Sequence, residues 1–265
     1  MNKKIYDWLI EQAFARAGDT QLKRVLLGLN WSVAETSADG VGLCFSPIET
    51  PRTLNWPGTL TEKNASELIE WIRHWNPAEA SVGALAINAL INADSPALRD
   101  SDLIYDNNGI AHGDAPGHLR VFEHFQAQVK TQRVAVIGRY PGLDALWSDI
   151  DYQCIERRPQ QNFSSQKDEW PDTAADYILP QCDWVFITAS SIANKSLPHL
   201  LSLSQHAQVV LMGPSLPWLR EWADFGVNYL AGVDVCDREK LFAIAGEGGG
   251  TRIFEGAVEY RLLAL

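Results

Sequence analysis

The stretch at residues 132–142, QRVAVIGRYPG, constrains this chain more than any other. Val134, Ala135, Val136 and Ile137 form a short, largely β-branched apolar run bounded by Gly138, the pattern of a strand covered on both faces in a parallel sheet. Pro141 has no N–H to extend a ladder and Gly142 favours a turn, so residues 139–142 end the strand, and residues 143–147 open a helical pattern. A strand, a tight loop and a helix in that order place the loop at the carboxyl edge of an open α/β sheet, where ligands bind.

The chain beyond repeats this unit. Residues 152–155 read as a second strand ending in Glu156, Arg157, Arg158 and Pro159. Residues 184–187 read as a third, opening into Thr188, Ala189, Ser190 and Ser191 and then Asn194, Lys195 and Ser196. Residues 209–212 read as a fourth, ending in Gly213, Pro214 and Ser215, and residues 228–231 as a fifth. Helical segments at 174–179, 197–203 and 241–245 alternate with them, which predicts a Rossmann-like, doubly wound parallel sheet over residues 121–265.

Residues 1–120 predict a smaller α+β domain. Ile5, Trp8, Leu9 and Ala13 share one helical face. Leu27, Leu29, Trp31 and Val33 alternate with polar or small residues, and the alternation resumes after Asp39 and Gly40 with Val41, Leu43 and Phe45, as in a β-hairpin. Asn64 and Glu67 have capping-box spacing ahead of a helix through residue 75; Asn76 caps the next, with Pro77 at its first position. Residues 82–91 are apolar nearly all round and must be buried, which makes Asn88 the residue to explain. It is either an internal amide satisfied by backbone or an amide facing a ligand cleft between domains. Residues 93–117, with no periodicity beyond the short run Leu103, Ile104, Tyr105, read as a linker or surface loop.

A length of 265 residues suits two domains, and 46% hydrophobic content with 10 Trp is ample for burial. The net charge of −11 is shared by both halves and offers no basic face, so no nucleic-acid partner is expected. Cys44, Cys154, Cys182 and Cys236 are far apart and form no C-x-x-C, as expected of reduced thiols. Asp7, Glu11 and Arg16 interrupt what would have to be a signal core, and no later run approaches ~20 apolar residues, so a cytoplasmic protein with no membrane partner is expected. The Trp content leaves room for a homo-oligomer without localising its face.

Four polar loops should converge at one sheet edge: Gly138, Tyr140, Pro141 and Gly142; Glu156 and Arg157; Thr188, Ser190 and Asn194; Gly213, Pro214 and Ser215. Glu156 lies where the acidic residue of a dinucleotide fold meets a ribose, or else it pairs with Arg157 or Arg158. GRYPG is not G-x-G-x-x-G: Tyr140 and Pro141 stand where an NAD pyrophosphate needs bare backbone, while a nucleoside-type ligand stays open. Ser190, Asn194 and Lys195 can attract an anion or simply cap a helix, and Glu247, Gly248 and the glycines that follow make either an N–H nest for an anion or a surface turn. His112, His118 and His124, with Asp106, Asp114 and Glu123, are spaced by six and fit no zinc pattern. Neither G-x-S-x-G nor H-E-x-x-H occurs, so no catalytic residue is assigned.

In order along the chain, GALAINALIN (83–92), VAVIGRYPGL (134–143), ERRP (156–159), DWVFITASSIANKSL (183–197), LMGPSLP (211–217), LAGVDVCD (230–237) and EGGGTRIF (247–254) resemble the putative heavy-metal chelation family, domain of unknown function 364. In that family an enolase N-terminal-like domain precedes a Rossmann-like domain. The resemblance implies a site between the domains, with Asn88 from the first and the strand-edge loops and Glu247 from the second. The family name implies metal chelation, and the likeness of its second domain to Rossmann methyltransferases implies an enzyme. The expected function is binding of a small molecule or metal complex, with a transition metal or a nucleoside-type cofactor as the candidate cofactors. One alternative is a methyltransferase-like enzyme that modifies, condenses or hydrolyses a pterin-, flavin- or siderophore-like molecule. Another is a non-catalytic interaction module whose crevice is plugged by Tyr140 and Trp218.

Overall fold

A computed structural model describes residues 3–47, 53–105, 115–157 and 169–265. In chain order the first part holds helix α1 (Lys3–Ala17), strands β1 (Leu22–Leu27), β2 (Trp31–Thr36) and β3 (Val41–Phe45), and helices α2 (Ser66–Ile69), α3 (Pro77–Asn92) and α4 (Pro96–Arg99). There follow strand β4 (Asp102–Tyr105), helix α5 (Arg120–Val129), strand β5 (Val134–Ile137), helix α6 (Leu143–Leu146), strands β6 (Tyr152–Ile155) and β7 (Glu169–Trp170), and helix α7 (Ala175–Ile178). The chain closes with β8 (Trp184–Thr188), α8 (Ser190–Ala193), α9 (Leu197–Leu203), β9 (Gln208–Met212), β10 (Tyr229–Val235), α10 (Arg238–Gly246) and β11 (Val258–Ala264).

The first three strands form an antiparallel sheet, and the others form a single sheet in the order β4-β11-β10-β9-β8-β5-β6-β7. From β7 to β10 every pairing is parallel, whereas β11 and β4 close one edge antiparallel. The chain runs from β5 outward to β6 and β7 and then returns to β8 on the other side of β5. The switch in strand order, and with it the crevice expected of such a sheet, therefore lies between the carboxyl ends of β5 and β8.

Pleat decides which core each residue joins, because successive side chains point to opposite faces. Ala135, Ile137, Val185, Ile187, Val209 and Leu211 pack with α1 and α3, so the first domain covers one face of the large sheet. Val136, Phe186, Val210 and Met212 face the other way, onto α5, Trp147 and α10. Helix α3 is buried from Ala80 to Ile91, as its all-round apolar sequence requires. The hairpin side of the first domain is fastened to α10 by charge. Glu35 of β2 is buried, and its carboxylate takes ion pairs from Lys23 at 3.2 Å, Arg24 at 3.1 Å and Arg238 at 3.0 Å. Burial alone would raise its pKa, but the hydrogen bonds and charges of these three cations outweigh it and hold the carboxyl below its ordinary value.

Several local expectations need revision. Residues 27–33 are not one strand: the chain turns at Gly28, where a side chain would meet Ala245 O and Trp31 O at 2.5 Å, and a further strand, β1, precedes it. The helix expected through residue 75 stops at Ile69 and continues as a 3-10 turn, Glu70–Arg73. Leu103 to Tyr105 is not linker but the edge strand β4, so the chain joins the large sheet before residue 120. The closing segment is β11, which makes the sheet mixed at that edge. No helix among the described residues is long and apolar enough to cross a membrane.

Candidate functional site

At the end of β5, Gly138 takes a left-handed φ of 99° and its N–H donates to Ile155 O at 2.9 Å. The loop that follows folds back over it. A Cβ on Gly138 would lie 3.4 Å from Thr188 Cγ2 and 3.8 Å from the Tyr140 ring. That ring is edge-on to Phe122 at 4.8 Å, and Thr188 lies beside its hydroxyl. Burial pushes the Tyr140 hydroxyl pKa up, further than Thr188 lowers it. Thr188 Oγ1 in turn lies 3.0 Å from Ser190 Oγ at the start of α8. Pro141 O is 2.9 Å from His118 Nε2, and Gly142, with φ 89°, leads into α6. The Glu156 carboxylate accepts the Arg139 N–H at 3.2 Å, while Arg157 faces Asp172 at 3.6 Å. The Arg139 guanidinium is clamped to Glu169. Arg158 and Pro159 lie outside the described residues.

The end of β9 is different. Gly213 has φ 113° and donates to Ala231 O at 2.8 Å. It is buried, yet no atom of the described residues lies within 4 Å of where its side chain would begin. The glycines at 18, 58 and 226 also face open space, but all three are exposed turns. Gly213, beside Pro214 and Ser215, thus borders a hollow that no described residue fills. Ser215 Oγ accepts the Phe45 N–H at 3.0 Å, and the half-exposed Phe45 ring stands edge-on to Trp31 at 5.3 Å. Trp31 Nε1 donates to Gly250 O at 2.9 Å, so the first domain and the glycine run meet beside this hollow.

The same loop is stitched to α3. Asn88 Nδ2 donates to Leu43 O at 2.8 Å and Ser215 O at 2.9 Å; Asn92 Nδ2 donates to Leu216 O at 3.1 Å and its Oδ1 accepts the Trp218 N–H at 2.9 Å; Ser95 Oγ donates to Trp218 O at 2.6 Å. Asn88 is thus an amide satisfied by backbone from both domains. Asn92, one turn further along α3, and Ser95, the N-cap of α4, share its role; the i, i+4 spacing of Asn88 and Asn92 on an apolar helix is the signal that could have found the second. Trp218 is core, its ring packed where a Cβ on Gly232 would come within 2.9 Å, and it does not plug the crevice.

The other expected residues lie further out. Asn194 Oδ1 accepts from Ser196 N and Oγ, a local turn. Lys195 is turned to the Trp75 ring, 5.6 Å from its centroid, and burial lowers its pKa to about 8. Glu247 is exposed, and the N–H groups of Gly248 and Gly249 donate to Ala245 O and Ile244 O, so they close the end of α10 rather than form an open nest. Gly248 O accepts Asn30 Nδ2 at 2.6 Å. Asp106, His112 and Asp114 lie outside the described residues.

Among the described residues no group of three or more His, Cys, Asp or Glu is placed to hold a metal ion. Soft metals need thiolates, and burial pushes the thiols of Cys44 and Cys154 up to about 12 and that of Cys182 to about 11. The donors among the described residues do not fit a heavy-metal centre.

Family models described as "Putative heavy-metal chelation" match residues 120–264 (DUF364) and 6–91 (DUF4213). The chain belongs to the DUF364 family. A DUF364-family protein of unknown function from Desulfitobacterium hafniense has the same fold, with a TM-score of 0.80 and 27% identity over 99% of this chain and 97% of that one. A second, from Pyrococcus horikoshii, gives a TM-score of 0.75 at 23% identity over 98% of this chain and all 100% of its own. An uncharacterized protein of Methanocaldococcus jannaschii is 23% identical over 203 residues, 74% of this chain and 70% of that protein.

Proposed function

We propose that the protein binds a small organic molecule, or a metal already held within one, in the hollow between the end of β9, the hydroxyls of Thr188 and Ser190, and the Phe45 edge of the first domain. The observation that carries this reading is Gly213: a buried glycine with a left-handed φ and no described neighbour where its side chain would start. A buried surface with nothing against it is where a ligand gains most from leaving water. The seam formed by Asn88, Asn92 and Ser95 keeps that surface fixed between the domains. Since the donors among the described residues do not fit a heavy metal, the organic part of the ligand supplies them.

Native mass spectrometry of the full chain as purified, repeated after denaturation, tests the reading. The expected result is an organic mass, with or without metal, that is lost on denaturation and missing from the Gly213→Leu variant. The same mass retained by a folded Gly213→Leu chain overturns the site. Dialysis against zinc or cadmium alone should leave no stoichiometric metal, and one tightly held equivalent per chain would contradict the view that the donors come from the ligand.

A further inference from the structure

We infer that Tyr140 is a specificity-determining residue: its ring occupies the crevice over Gly138 and closes that half to a nucleoside-type cofactor, leaving ligand to enter on the Gly213 side. The inference rests on the crevice being the ligand site. A Rossmann-type fold that holds a nucleoside does so with bare backbone after the first strand and a free carboxylate at the end of the second. Here both are engaged internally. Over Gly138 lies the Tyr140 ring, within 3.8 Å of a would-be Cβ, held edge-on by Phe122 at 4.8 Å and with Thr188 Cγ2 3.4 Å from that same Cβ. Tyr140 and Thr188 meet across the switch between β5 and β8, and Thr188 Oγ1 lies 3.0 Å from Ser190 Oγ. At the end of β6, the Glu156 carboxylate accepts the Arg139 N–H rather than standing free for a ribose. Pro141 and Gly142 fix the rest of the loop, one beside the His118 ring nitrogen and the other 3.3 Å from Leu119 Cδ1 measured at a would-be Cβ. Contacts from α5, β6, β8 and the turn before α5 thus hold the ring where a nucleoside would lie.

Arg139, the arginine of this loop, has its guanidinium clamped to Glu169 rather than turned to a phosphate.

The test is isothermal titration of the full chain with adenosine and with S-adenosylhomocysteine. Wild type should show no saturable binding, and Tyr140→Ala should bind at least one probe about tenfold or more tightly than wild type. Tyr140→Leu, which keeps apolar contact with Phe122, serves where the alanine variant does not fold. Binding by wild type that Glu156→Ala weakens overturns the inference while keeping the crevice as a site. Folded Tyr140 variants that still bind neither probe also overturn it, because something other than this ring then excludes the cofactor. Failure of the site itself is read separately, from the mass retained by Gly213→Leu.

Discussion

Gly138 and Gly213 both end parallel strands of one sheet, and both have left-handed φ values, 99° and 113°. They are not equivalent. The chain after Gly138 turns a tyrosine back over the strand end, and the chain after Gly213 runs away through Pro214 into the interdomain seam. A glycine at the carboxyl edge makes a close approach possible, and the next two or three residues decide whether the chain itself or a ligand makes it.

The largest effect should fall on the Gly213 side. Asn88→Leu leaves the buried carbonyls of Leu43 and Ser215 without their shared donor, and we expect a loss of about 3 kcal/mol in urea unfolding. A loss well under 1 kcal/mol would mean that water readily replaces the amide and that the seam is not rigid.

How far this contrast could be read from sequence depends on how local its causes are. The strand at 134–137 and Asn88 as the polar residue of an apolar helix declare themselves within a single element, because period and spacing carry them. The direction of Tyr140 is not written locally: it depends on Phe122 and Thr188, which the fold brings from either side. The same holds for β4 and β11, whose short runs gain meaning only by pairing with each other and with β10. The turn at Gly28 was hidden because alternation continues across it, and the backbone of Ala245 is what forbids a side chain there.

Next in size comes the clamp that holds the hairpin on α10. Glu35→Gln should cost about 2 kcal/mol near neutral pH, since it leaves Lys23, Arg24 and Arg238 without their buried partner. The folded carboxyl titrates below its ordinary value of 4.5, so its contribution is complete above that value and is lost as the pH falls through the lower, folded one. Unfolding curves of the two proteins should therefore converge in acid; a gap that persists unchanged there would assign the effect to packing instead.

Tyr140→Phe keeps the ring and removes the hydroxyl beside Thr188. A cost of about 1 kcal/mol in chemical denaturation is expected, with adenosine still excluded, because the ring rather than the hydroxyl fills the space. Binding of adenosine by this variant would shift the excluding role to the hydroxyl. The smallest effect belongs to the opposite edge of the sheet, where Arg133 pairs with Asp183 at 2.7 Å in an exposed position. Arg133→Ala should change stability by less than about 1 kcal/mol and leave ligand retention untouched; altered retention would mean that the two edges are coupled.

The most direct measurement is hydrogen–deuterium exchange on the full chain, with and without the small-molecule filtrate of the cells that make it. The account predicts slowed exchange at residues 188–191 and 213–216 and no change at residues 138–142 and 156–157. Protection over 138–142 and 156–157, or none in either region, would contradict it.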